Sequence, residues 1–174
     1  MLKSRYTVLL IAQIVVMALL IGLPSFAQDN PPFEYTDTTD PENTLAAYFN
    51  AISLKDYSRA YGYWQNPPDD ATLQEFAAGF SDTESVDAYF KLPGRMDAAA
   101  GTAYAAIPTI VVATHTDGTI HHFAGCYLLG SSNVPVGDEP LPDERDWFMI
   151  RASVIAVDDM NTAADSLDEL CLEL

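Results

Sequence analysis

The apolar positions in the first part of the chain repeat with the period of an α-helix. One hydrophobic face is formed by four residues at i, i+3, i+4 and i+7, namely Leu45, Tyr48, Phe49 and Ile52. Asp40 precedes this run and can accept hydrogen bonds from the first free amides. Pro41 suits the first helical position, because the N–H it lacks would have no partner there. The pattern predicts a helix that begins at Pro41.

Two shorter helices are predicted after the first. Asp56 can cap a second amphipathic helix that extends from Tyr57 to Trp64. Thr72 and Glu75 have the spacing of a capping box, in which each side chain accepts a hydrogen bond from the other residue's backbone amide. This box predicts a third helix, and all three helices precede the strand-rich part of the chain.

Beyond residue 83 the apolar period shifts toward two, which is typical of β-strands. The predicted strands are ESVDAYFKL (84–92), Tyr104–Ala113, Thr119–Leu129 and Trp147–Val157. The DAAAGTA segment after the first strand is predicted to be a loose connection, and Pro108 indicates an edge or a bulge because proline cannot donate to a β-ladder. Helices followed by strands predict an α+β fold: a curved antiparallel sheet of about four strands, packed against two to three helices in a cone-like arrangement.

The three histidines of the chain lie close to one predicted turn. Asp117-Gly118 between two apolar strands predicts a two-residue type I′ hairpin turn. In that register His115 and His122 share a face, about 7–8 Å apart, and His121 points to the other face. The two imidazoles could just meet, but zinc needs a further ligand and Cys126 lies too far along the strand. We therefore predict no metal site and no cofactor, and interpret the histidines as polar residues near a hairpin tip.

The charge of the chain argues against several classes of partner. It has 25 acidic and 8 basic residues and a formal net charge of −17, and the acidic residues are spread along its length. Such a surface repels the phosphates of nucleic acids and anionic membrane surfaces. We expect no nucleic-acid partner.

The first 27 residues have the order of a secretory signal peptide. Basic residues precede the apolar run Thr7–Leu23, and the small residues Ser25 and Ala27 precede a predicted cut between Ala27 and Gln28. An uncleaved membrane anchor is the alternative, since the run is at the short end of the roughly 17–25 residues that span a bilayer. We predict cleavage, export to the periplasm or the extracellular space, and no stable membrane insertion afterwards.

The two cysteines, Cys126 and Cys171, are predicted to form a disulfide, because an exported chain meets an oxidising compartment. Two buried free thiols are the alternative. The predicted organisation is a flexible leader at 28–40, the α+β domain at 41–157, and an acidic tail at 158–174 that the disulfide tethers. Closing such a loop contributes about 3–4 kcal/mol in the chain-entropy model.

The sequence contains no motif that assigns a reaction. It has no G-x-S-x-G nucleophile motif and no phosphate loop that ends in Gly-Lys-Ser/Thr. Aromatic residues crowd the helices, and Arg151 lies in the middle of a strand, where it needs a carboxylate, a ligand or access to water. An outward-facing ion pair of this arginine is one interpretation. The other is a ligand pocket with an arginine on its floor, formed by Tyr48, Tyr61, Trp64, Phe123 and Arg151.

The order of these elements resembles that of the nuclear transport factor two-like superfamily, which includes the ketosteroid isomerase-like and polyketide cyclase-like proteins. The resemblance covers about residues 40–157. Within the superfamily, the chain is most similar to exported bacterial proteins with such a domain. It is carried by Glu42–Trp64, Phe76–Val86, Ile107–Leu129 and the strand that begins at Trp147. Lys55 to Tyr61 matches the x-D-Y-x-x-A-Y stretch of that superfamily. The resemblance implies a first helix packed across a strongly curved sheet, with an open end that can hold an apolar ligand.

The resemblance leaves the function open, because the superfamily contains isomerases, dehydratases, cyclases, ligand binders and assembly modules. Its isomerase-type members use a carboxylate base and a tyrosine-centred oxyanion hole, for which Asp87 with Tyr48 or Tyr61 are the candidates here. We expect a non-catalytic domain that binds a small apolar ligand or a protein partner. The alternatives are a small isomerase or cyclase with a buried carboxylate and a tyrosine, and a module that forms a homodimer through the sheet face.

Overall fold

The first helix begins at the residue that the sequence indicates. A computed structural model describes residues 34–92, 94–132 and 146–172. In it helix α1 (Pro41–Ser53) follows Asp40, whose carboxylate accepts the backbone N–H of Asn43 at 2.7 Å. The predicted cap and the predicted start of this helix are confirmed.

The next two helices are short and also begin at their predicted caps. Helix α2 (Tyr57–Gly62) follows Asp56, whose side chain accepts the N–H of Arg59. Helix α3 (Leu73–Ala78) has the complete capping box between Thr72 and Glu75. Helix α2 ends at Gly62, before the predicted Trp64, because the Tyr63 carbonyl and the Gln65 N–H bond to Met149 of the sheet instead.

The described part of the chain contains one antiparallel sheet, which confirms the α+β class. Its strands are β1 (Thr83–Phe90), β2 (Arg95–Ala99), β3 (Thr102–His115), β4 (Ile120–Ser132) and β5 (Phe148–Val157). The order is β1-β3-β4-β5, and β2 pairs with the first half of β3. Irregularities in the pairing of β1 with β3 and of β4 with β5 interrupt the regular ladder.

Strand β2 corrects the prediction of a loose connection at DAAAGTA. All of its side chains are exposed, so its sequence shows no alternation of apolar and polar residues. It forms because β3 extends beyond the end of β1, and the backbone groups of Thr102–Ala106 need partners. Pro108 lies where the neighbour of β3 changes, between the last β1 pair at Thr109 and the first β2 pair at Ala106. Pro108 therefore lies beside a local gap between β1 and β2 inside the sheet, and not on an edge strand.

Side chains of β3 and β4 alternate between two faces of the sheet. The inner face packs against α1, and the core between them contains the fully buried residues Leu45 of α1 and Ile107, Leu129 and Met149 of the strands. The outer face carries Ala106, Ile110, Ala124 and Cys126 in a second, smaller core. This division decides which residues can contribute to a site under α1.

The C-terminal segment folds back as helix α4 (Met160–Leu170), where the sequence predicts an acidic tail. Its buried residues Ala163, Leu167 and Leu170 pack on the outer face of the sheet. Cys171 at its end is bonded to Cys126 on β4, so the predicted disulfide is confirmed. The helix forms because three leucine and alanine positions recur on one side and find an apolar surface on the sheet.

The end of the predicted leader is bound to the domain. The N–H of Tyr35 donates to Asn50 Oδ1 at 2.9 Å, and Arg59 Nη1 donates to the Tyr35 carbonyl at 2.8 Å. The N–H of Trp147 donates to the Thr38 carbonyl at 2.9 Å. These polar contacts give residues 34–40 fixed positions that a lack of hydrophobic pattern does not reveal. The predicted signal peptide, 1–27, lies outside the described residues; among those described, no helix is both long and apolar enough to cross a bilayer.

Candidate functional site

A cavity of about 320 Å³ lies on the inner face of the sheet, between α1, the end of α3 and the strands. Its apolar lining consists of Tyr48, Phe49, Ile52, Phe80, Val86, Val111, Ala113, Phe123, Tyr127 and Val154. Gly79, Asp82, Thr83 and His115 complete the lining and make one side of it polar. The volume is near the lower limit of about 300–1,000 Å³ that is usual for small-molecule sites. The cavity therefore suits a small ligand.

The alternation of strand side chains explains which residues face this cavity. Val111, Ala113 and His115 are two residues apart on β3 and point to the inner face. Val112 and Thr114 lie between them and point to the outer face. Neighbouring residues of one strand thus provide matched pairs, one inside the cavity and one outside it.

The β3–β4 hairpin has a three-residue loop, and the predicted two-residue turn is wrong. Ala113 pairs with His121, one residue away from the predicted register. Gly118 has a φ of +84°, whereas Asp117 is not in the left-handed region; this is the geometry of a type I turn followed by a left-handed residue. The Asp117 carboxylate accepts hydrogen bonds from the N–H and the hydroxyl of Thr119, which favours this turn over the type I′ alternative.

The shifted register brings His115 together with His121, where the prediction paired it with His122. The two rings have their centroids 4.4 Å apart. His115 Nδ1 also lies 3.3 Å from Asp82 Oδ2. At the rim of the cavity, His115 therefore contacts both the Asp82 carboxylate and the imidazole of His121. These three side chains are not arranged so that they could hold a metal ion. The same is true of every other group of His, Cys, Asp and Glu side chains in the described residues.

Two tyrosines of the cavity lining are buried. Burial raises the pKa of Tyr48 far above 10, although contact with Trp64 opposes part of this shift. Burial, together with the nearby Tyr48, raises the pKa of Tyr127 well above 10. Both phenols are therefore neutral near pH 7.

The residues predicted from the sequence to form one pocket are divided between different places. Tyr48 and Phe123 both line the cavity on the inner face. Tyr61 does not line it; its hydroxyl donates to the Ala71 carbonyl at 3.0 Å, and its ring packs edge-on against Phe76. Tyr61 thus joins α2 to α3 and acts as a packing residue.

Trp64 and Arg151 line a separate, open groove beside residues 66–70. Arg151 is exposed and pairs with Leu128, whose side chain lies on the outer face of the sheet. It is therefore not on the floor of the aromatic cavity. The indole of Trp64 is buried, and its Nε1 has no hydrogen-bond partner among the described residues.

The candidate carboxylate Asp87 is exposed on the outer face of β1. Its neighbours Val86 and Ala88 face the inner core, so strand alternation directs Asp87 away from the cavity. The carboxylate that does line the cavity is Asp82, just before β1, and 64% of its side chain is exposed. Sequence reasoning missed the contact of Asp82 with His115, which arises from the pairing of β1 with β3, where Thr83 lies opposite His115.

Comparison with known proteins yields similarity in fold only. No protein-family model matches the chain, and no curated protein matches it. A solved structure from Novosphingobium aromaticivorans, described as a scytalone dehydratase, is 11% identical with a TM-score of 0.47, and the match covers 67% of this chain and 80% of that chain. A nuclear transport factor 2-like superfamily protein from Salmonella enterica serovar Typhimurium is 12% identical with a TM-score of 0.46, covering 67% and 88%. The second bears the name of the superfamily that the sequence resembles, and neither carries a residue role or a ligand over to this chain.

Proposed function

We propose that this domain binds one small, mostly apolar ligand in the cavity on the inner face of the sheet. The observation that supports it is a space of about 320 Å³ under α1, lined mainly by apolar side chains. Protein interiors are normally close-packed, so an apolar space of this size between a helix and a sheet favours an occupant.

The polar groups of the lining would orient the ligand. These groups are His115 and Asp82 at the rim, whereas the lining residues Tyr48 and Tyr127 are buried beside Phe49. An amphipathic molecule would insert its apolar part and leave its polar end at the rim. Few polar groups at defined points are what gives small-molecule sites their specificity.

A titration with the neutral fluorescent probe N-phenyl-1-naphthylamine tests the proposal. We expect saturable binding of one probe molecule per chain. Ala113→Phe should abolish it, because the new ring fills the cavity. Thr114→Phe is the matched control: its side chain is on the outer face, and binding should be unchanged. Binding that does not saturate, or that survives Ala113→Phe, contradicts the proposal.

A second candidate function is acid–base catalysis of the isomerase or cyclase type, favoured by the 3.3 Å approach of His115 Nδ1 to Asp82 Oδ2. In this mechanism Asp82 would orient the imidazole, His115 would take a proton from carbon, and a neutral tyrosine would donate to the developing oxyanion. It differs from the predicted arrangement because the carboxylate is exposed and the base is a histidine.

Deuterium exchange at the α-carbon of a small cyclic ketone, followed by NMR, separates the two candidates. A catalytic site should accelerate exchange for a ketone that saturates the cavity, and His115→Gln should abolish the acceleration while ketone binding persists. If the ketone binds and its exchange is not accelerated, the result supports binding and contradicts catalysis.

We also propose that the protein is exported and cut between Ala27 and Gln28. Support comes from the charged, apolar and small-residue order of the first 27 residues and from the disulfide, since such bonds persist in oxidising compartments. Mass spectrometry of protein made in a secreting host should give the mass of residues 28–174 less two hydrogens. A mass that includes residues 1–27 would contradict the cleavage.

A further inference from the structure

We propose that the ligand of the inner cavity is an organic cation: an ammonium group on a small apolar body, with the charge at the Asp82 end of the cavity. This inference rests on the proposed binding function and names the chemical class that the site takes. Three properties of the lining support it: its aromatic rings, its carboxylate and its lack of lysine and arginine.

Aromatic rings make up much of the described lining. They are Tyr48, Phe49, Phe80, Phe123 and Tyr127. Phe49 is in edge contact with two of them, with centroids 5.1 Å from Tyr48 and 5.6 Å from Tyr127. The negative face of an aromatic ring attracts an ammonium group, and the polarised carbon atoms attached to nitrogen pack against the same face. Such a lining accepts both the charge and the apolar body of the ligand.

Asp82 supplies the negative charge at the rim. Its backbone carbonyl accepts the N–H of Thr116 at 2.8 Å, and its carboxylate meets His115 Nδ1 at 3.3 Å. These contacts hold the carboxylate beside the opening. Because the side chain is largely exposed, an ammonium group next to it keeps part of its hydration while the apolar body enters the cavity.

An anionic ligand finds no permanent positive charge in the described lining, which contains neither lysine nor arginine. The nearby ammonium of Lys55 is bound to the carbonyls of Thr83 and Glu84. The formal net charge of −17 also raises the local concentration of cations and lowers that of anions. The electrostatics therefore favour a cation over an anion.

Phenyltrimethylammonium and tert-butylbenzene, which have the same shape and differ in charge, test the inference by calorimetry or NMR titration. At low ionic strength we expect the cation to bind about tenfold more tightly than the neutral molecule. Asp82→Asn should remove most of this ratio. Asp87→Asn makes the same change in net charge on the outer face and should leave the ratio unchanged.

The possible outcomes separate this inference from the proposed function. Equal or tighter binding of tert-butylbenzene by the wild-type chain overturns the inference and leaves the apolar binding function in place. Binding of neither molecule overturns both. A ratio that survives Asp82→Asn, or that falls equally in Asp87→Asn, also overturns the inference, because the preference would then come from net charge. The wild-type comparison decides the question even if one variant does not fold.

Discussion

The imidazole rings of His115 and His121 lie across the β3–β4 hairpin with their centroids 4.4 Å apart. His115 is partly buried at the rim of the cavity, with 24% of its side chain exposed, and His121 is exposed beside it. The exposed His121 ring thus limits the positions of the His115 ring, which also contacts Asp82. The orientation of His115, a polar group between the cavity and water, depends on both Asp82 and His121.

Removal of His121 should release the His115 ring. We expect His121→Ala to change the chemical shifts of the His115 ring protons in NMR spectra and to lower stability by less than about 1 kcal/mol, because His121 is exposed. His122→Ala is the control, since His122 is on the other face of the same strand. Equal changes of the His115 signals in both variants would contradict the contact between the two imidazole rings.

Removal of the disulfide should destabilise the domain. The bond between Cys126 and Cys171 closes a loop with a sequence separation of 45 residues, which predicts a loss of about 3–4 kcal/mol in the unfolding free energy of the Cys126→Ala/Cys171→Ala variant. Urea denaturation of the two proteins measures it. Reductant should destabilise the wild-type chain and leave the double variant unchanged. A double variant as stable as the oxidised wild type would show that α4 packs without the bond.

Acid should weaken the attachment of helix α4. Hydrogen bonds from the N–H groups of Thr162 and Asn161 lower the pKa of Asp159 from its ordinary value of 3.8. Because the pKa of Asp159 is lower in the folded chain than in the unfolded chain, the ionised carboxylate stabilises the fold at pH values above the unfolded-state pKa. This contribution is lost as the pH falls below about 3.8 and through the folded-state pKa. Asp159→Asn keeps an N-cap without the charge, so its urea-unfolding free energy should fall less between pH 5 and pH 3 than that of the wild type. Identical slopes for the wild type and Asp159→Asn would be inconsistent with this linkage.

The N-cap of helix α1 should contribute measurably to stability. Asp40 accepts hydrogen bonds from Asn43 N at 2.7 Å and from the Asn43 side chain. Asp40→Ala is expected to lower the unfolding free energy by about 1 kcal/mol, whereas Asp40→Asn should lower it by a few tenths at most. Thermal denaturation measures both. A loss of the same size in the two variants would mean that charge rather than capping matters there.

Local sequence signals were sufficient to predict the helices. They were not sufficient to predict the pairing of the strands, which depends on residues far apart in the chain. The caps at Asp40, Asp56 and Thr72 were predictable because each acts on amides two or three residues away. Strand β2 was missed because its partner, the extension of β3, is what orders it. The hairpin was misassigned by one residue because the carboxylate of Asp117 bonds to Thr119 and selects a longer loop.

The site was predictable only where one element determines the direction of a side chain. Tyr48 lies on the apolar face of α1, and it lines the cavity as expected. Asp82 and His115 meet through the pairing of β1 with β3, a non-local pairing that the sequence did not predict. The two interpretations of Arg151 could be separated only by the pairing of β5 with Leu128, which places this arginine on the outer face and supports the outward-facing one. A homodimer through the sheet face stays a prediction, and α4 covers part of that face.

The most direct test of the ligand cavity is methyl NMR of Val111 and Val112 during titration with N-phenyl-1-naphthylamine. Val111 lines the cavity, and the adjacent Val112 points to the outer face of the same strand. Saturable shifts of the Val111 methyl signals, with those of Val112 unchanged, are the expected result. Shifts confined to Val112, or no shift of Val111 at saturating probe, would contradict a ligand site under α1.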